Sequence, residues 1–124
     1  MHLNSIPMIK EDPILIREQQ WLELRMKLKH QFGKPPDLNA ILFLIGIREL
    51  GTVKKKFSKE EKQDLMHIAT CSILSASGYY ELEGLDQDGW PHWVPKKKLP
   101  VMNLVEQEDF IRDHVIHYFR EIEY

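Results

Sequence analysis

A single cysteine, Cys71, is the whole thiol content of the 124 residues. No disulfide can form within the chain, so the fold must rest on a hydrophobic core. A chain of this length is long enough for one, hiding roughly two-thirds of its unfolded surface on folding. The start, MHLNSIPMIK, lacks the early basic run and apolar stretch of a secretory leader. With one unpaired cysteine, the expected location is a reducing cytoplasm. Charge of one sign is also missing: 17 Lys and Arg stand against 19 Asp and Glu, a net charge of -2. No overall field therefore draws the chain onto nucleic acid or anionic lipid. Long apolar runs are absent as well. The stretch from Leu38 to Ile47 is about half of the ~20 residues that span a bilayer, so no membrane partner is expected. There is no phosphate-binding glycine loop, no internal repeat and no low-complexity tract, and no motif names a reaction or a cofactor.

What the chain does have is one segment apolar on almost every side, Asp37 to Gly51, DLNAILFLIGIRELG. A helix with no polar face must be covered by other elements. The expected fold is therefore all-α: a single helical domain over 1–124, four helices around a central apolar helix (38–50). A β-hairpin (79–94) lies between helices three and four, and residues 1–11 form a flexible N-terminal arm. Asp12-Pro13 starts the first helix, which runs to about Phe32 before Gly33. Trp21, Leu24, Leu28 and Phe32 form its stripe, with Leu15, Leu22 and Met26 beside it. Lys34-Pro35-Pro36 is a stiff connector, since proline disfavours helix in the residue before it. Asp37 caps the second helix and Gly51 ends it. Gly46 costs about 1 kcal/mol relative to alanine inside a helix, which points to close approach by a neighbour.

Ser58-Lys59-Glu60-Glu61 is a capping box. It opens a third helix to about Ser77 with Leu65, Ile68, Ala69, Ser72, Ile73 and Ala76 inward and Gly78 as C-cap. Aromatic limbs around Asp86-Gln87-Asp88-Gly89 give the hairpin, with Pro91 and Pro95 marking its second limb as an edge. Lys96 to Pro100 is a linker. Asn103 caps the fourth helix, whose stripe is Ile111, Val115, Tyr118 and Ile122.

Four constellations carry chemistry. His114 and His117, three apart, share a face of the fourth helix with Phe110 and Glu121. Such a pair could join carboxylates of another helix in a metal site, for which Asp64, His67 and Cys71 on the third helix are the nearest supply. Neither helix carries Glu-x-x-His, and both stripes lie off the apolar face, so solvated flanks or an oligomer contact explain them more simply; no metal is expected. Cys71 with His67 a turn away has the makings of a nucleophile pair, but a mid-helix cysteine lacks the positive neighbour that makes a thiolate and reads as packing. Glu49 shares the stripe of Leu38, Leu42 and Ile45. A desolvated carboxylate there would be a candidate general base, whereas a last-turn glutamate can reach water or Arg48. The order helix, helix, helix, hairpin resembles a winged helix, which would imply a DNA-reading third helix and a wing. The acidic hairpin, Glu81 to Asp88, would be repelled by phosphates, and the third helix mixes both charges.

The densest local feature is Trp90-Pro91-His92-Trp93 facing Tyr79 and Tyr80. Rigid aromatics on an edge hairpin suit a protein contact. The reading that results is a small soluble cytoplasmic interaction domain, homodimeric and without catalysis of its own. Its contact surface comprises Tyr79, Tyr80, Trp90, His92, Trp93, Phe110, His114 and His117, and its partner is a second copy or another protein. The alternatives are a winged-helix DNA-binding regulator and a helical metal protein or enzyme using His114 and His117.

Overall fold

Caps set the elements. The computed structural model describes residues 12–51 and 56–124. It runs α1 (Pro13–Phe32), α2 (Leu38–Leu50), α3 (Lys59–Ser75), β1 (Tyr80–Leu85), β2 (Pro91–Pro95) and α4 (Leu104–Glu121). The arm expected over 1–11, and Lys54 and Lys55 of the first lysine run, lie outside the described residues. Asp12 accepts the Ile14 amide at 2.9 Å and Asp37 the Ala40 amide at 2.8 Å. Ser58 and Glu61 close their box at 3.1 and 2.8 Å. Asn103 and Glu106 form a second box, at 2.8 and 3.1 Å. Each satisfies amides that the first turn of a helix leaves orphaned. Gly33 and Gly51 take the left-handed conformation just past α1 and α2, as expected.

The chain divides into two compact units, Met1–Pro35 and Pro36–Tyr124. In the first, Trp21, Leu24 and Leu28 are the buried positions of α1. Phe32 is half-buried, and Leu15, Leu22 and Met26, expected beside the stripe, are exposed.

In the second unit α2 buries Ile41, Leu42, Ile45, Gly46 and Leu50. Its partner is α3, which also packs against both strands and α4. The close approach expected at Gly46 is there. A β-carbon at that position would fall on the Leu65 carbonyl oxygen of α3 and lie 2.7 Å from the carbonyl carbon. From α3 the core receives Leu65, Ile68, Ala69, Cys71, Ser72, Ile73 and Leu74, and from α4 Val115, Ile116 and Phe119. Ala76, expected inward, is exposed because α3 ends at Ser75, two residues before the expected end. The amides of Ser77 and Gly78 bond the carbonyls of Leu74 and Ser75, three residues back. That tightening swings the chain off the helical path, and Cys71 and Leu74 fill the face instead.

The hairpin is antiparallel, Tyr80 pairing with Pro95 and Leu82 with Trp93. The register then slips, Gly84 facing His92, so Glu83 is the extra residue of a bulge. Asp86 builds the turn. Its Oδ1 accepts the amides of Asp88 and Trp90, both at 2.9 Å, and its Oδ2 meets His92 Nε2 at 3.1 Å.

Candidate functional site

Among the residues singled out from sequence, two groups each line a cleft. The larger cleft, about 380 Å³, is formed by α3 and the hairpin. Asp64, His67 and Ile68 line it from α3; Asp86, Trp90, Pro91, His92 and Trp93 line it from the turn and β2. Local chemistry explains the arrangement. Asp64, His67 and Ile68 fall within one helical turn, so they share a flank of α3. Across from them, Asp86 fixes both Trp90, through its amide, and His92, through its ring. The bond from the Trp90 amide, followed by that from His92, holds the Asp86 carboxyl below the usual carboxylate range. Asp86 is thus an anion that orients a tryptophan. Trp90 and Trp93 are both half-buried, rather than divided into one inward and one free ring as strict alternation would have it. Trp90 precedes the strand and is aimed by the turn. Among the described residues, the buried Trp93 indole nitrogen meets no acceptor, a rare condition in a folded chain.

The smaller cleft, about 250 Å³, is lined by Ala76, Ser77, Asp113, His114 and His117. Tyr79 and Phe110 stand edge to face at 5.7 Å, and Phe110 meets the His114 ring at 4.5 Å. Lys97 sits 4.4 Å over the Tyr79 ring. Tyr80 lies in the ladder opposite Pro95. Ser77, expected as the end of the third helix, lies 2.8 Å from His114 Nε2 across 37 positions. No local motif announces a contact of that range.

Glu49, His67 and the two histidines of α4 do not converge. Glu49 takes the Ser72 hydroxyl at 2.9 Å on one oxygen and the Tyr118 hydroxyl at 2.7 Å on the other. It ties α2 to α3 and α4. His67 Nε2 stands 3.5 Å from Cys71 Sγ. The cysteine is fully buried, and burial pushes its thiol up to about 11, the opposite of what a nucleophile needs. His117 is 3.7 Å from Glu121. Among the described residues no three of His, Cys, Asp and Glu come together as a ligand set for a metal. Among them, too, no helix is long and apolar enough to cross a membrane.

Neither a family model, a characterised protein nor a solved structure matches the chain. Function must be argued from the clefts.

Proposed function

We propose that the chain is a protein-interaction domain that pairs with a second copy of itself, the larger cleft of each copy receiving a basic segment of the other. The observation that carries this reading is the lining of that cleft. It presents two tryptophans and two carboxylates, Asp64 and Asp86, and, among the described residues, no lysine or arginine. Indole faces and carboxylates together favour a cationic side chain with an apolar stem, through cation–π attraction and ion pairing. Such anchors also dominate interface energetics.

The complementary surface is on the same chain. Lys96, Lys97 and Lys98 are exposed after β2, and Leu99, Val101, Leu104 and Val105 follow as exposed apolar side chains. Contiguous apolar exposure of this kind marks a contact surface. When the segment of each copy enters the cleft of the other, the two contacts are related by a two-fold axis and the interface closes as a dimer. The winged-helix alternative fits less well. The hairpin side chains Glu81, Glu83, Asp86 and Asp88 are exposed and acidic, and α3 is already covered by α2, the strands and α4.

Sedimentation velocity tests the pairing. The wild type should sediment as a concentration-dependent dimer that weakens as salt rises, and Trp90→Ala and Lys98→Glu should both be monomeric with unchanged helix content. A chain that is monomeric at every concentration overturns self-association. Titration with a lysine-rich peptide, followed by the indole N–H resonances, then decides the cleft itself: no shift in Trp90 or Trp93 removes it as a binding site.

A further inference from the structure

The smaller cleft carries a second inference, independent of the first because the two clefts share no lining residue. His114 Nδ1 lies 2.8 Å from the Phe110 carbonyl oxygen and Nε2 lies 2.8 Å from Ser77 Oγ. A carbonyl can only accept, so a neutral imidazole here carries its proton on Nδ1 and offers a lone pair at Nε2. The Ser77 hydroxyl must then donate to Nε2. That is the wiring of a nucleophile, a general base and a group that orients the base, with a backbone carbonyl in the third place.

The turn that presents Ser77 leaves it exposed, while His114 is half-buried on α4. An oxyanion also needs donors. The amides of Ser77, Gly78 and Tyr79 are already given to the carbonyls of Leu74, Ser75 and Leu74, so the donor must be a side chain. His117 lines the same cleft one helical turn beyond His114, with its Nε2 3.7 Å from Glu121, and an imidazole carries an N–H donor in either protonation state. Asp113 on the same wall disfavours an anionic substrate.

We propose that Ser77 is a nucleophile activated by His114, with His117 as oxyanion donor, acting on small uncharged esters. Ser77 Oγ bonds to the ester carbonyl carbon as its proton passes to His114 Nε2. The C–O bond to the alcohol breaks, and His114 returns the proton to the departing alcohol. Water, deprotonated by His114, then attacks the acyl-serine, the acid leaves, and Ser77 regains its hydrogen.

An uncharged alkyl fluorophosphonate, which phosphonylates an activated serine with loss of fluoride, tests the first half by intact mass and peptide mapping. The expected result is one adduct per chain, on the peptide holding Ser77, and hydrolysis of p-nitrophenyl acetate that the adduct abolishes. Ser77→Ala should lose adduct and hydrolysis together. His114→Gln should slow labelling on the order of a hundredfold or more, and His117→Gln should slow ester turnover by about a hundredfold. Ser77 is an exposed turn residue, so its alanine variant keeps the packing; matching amide spectra would confirm that. No adduct on the wild type, an adduct that persists in Ser77→Ala, or labelling unaffected by His114→Gln overturns the proposal and leaves the Ser77–His114 bond as a latch between turn and helix.

Discussion

Glu49 shows how much one side chain can decide. On the helical wheel it falls among leucines, and from sequence that position suggests either a desolvated base or a glutamate snorkelling to water. The fold offers a third solution, in which both carboxylate oxygens are occupied by hydroxyls brought from two other helices. The consequence appears in Tyr118, whose ionisation is pushed well up, first by burial and then by its bond to Glu49 and the negative charge there. A folded-state pKa above the unfolded value of about 10 means the unfolded chain releases this proton first. The stability linked to Tyr118 is therefore complete below about pH 10 and drains away as pH rises from there toward the folded value. Tyr118→Phe should cost about 1–2 kcal/mol at pH 7, the value of a hydrogen bond to a charged acceptor discounted for partial exposure. Urea unfolding at pH 9 and pH 11 should show a smaller loss for the variant than for the wild type. Parallel losses would mean the phenol does not titrate against Glu49.

At the scale of elements, what could be read from sequence was what sequence-local chemistry controls. Asp12, Asp37, Ser58 and Asn103 each start a helix because a cap acts within three residues of itself. The hairpin was legible from its turn residues for the same reason. Less legible was which face is inward where two elements compete for it: Ile116 and Phe119 of α4 are buried beside the expected Val115, because the half-turn each helix presents depends on its neighbour. The Ser77–His114 contact was invisible, as was the pairing of α3 with the tryptophans, since both depend on how α3 ends and how Asp86 aims the turn. Gly46 lies between these cases. Its sequence cost announced a close approach, but only the packing names Leu65 as the obstacle, and a backbone obstacle at that. Helix propensity alone would make Gly46→Ala stabilising by about 1 kcal/mol. Overpacking against backbone should reverse the sign, with a net loss of about 2 kcal/mol or more in chemical denaturation. A variant more stable than the wild type would show that α2 and α3 do not meet so closely.

Across the unit from Pro36 to Tyr124, the most apolar helix and the most connected helix are different ones. Hydrophobicity marks α2, although only its face of Ile41, Leu42, Ile45, Gly46 and Leu50 is buried; connectivity belongs to α3, which touches α2, both strands and α4 and whose polar flank hides that role. Both clefts also adjoin α3, one along Asp64–Ile68 and one at the Ala76–Ser77 turn just past its end. His67 and Ser75, the last residue of α3, are eight positions apart, about 12 Å at helical rise, so two sites can share a scaffold without sharing a wall. Connectivity has a measurable consequence. Opening α3 removes a wall from every other element of the unit, so its inner amides can exchange only when the whole unit unfolds, whereas α2 or the hairpin can open while the rest stays packed. Hydrogen exchange at pH 7 should therefore find the slowest amides between Leu65 and Leu74, with protection matching the global unfolding free energy. The amides of α2 should exchange faster, and those from Gln87 to Gly89 should be nearly unprotected. If α2 outlasts α3, the unit is organised around its apolar helix after all, and the two clefts lie on a peripheral helix rather than on the most rigid element of the fold.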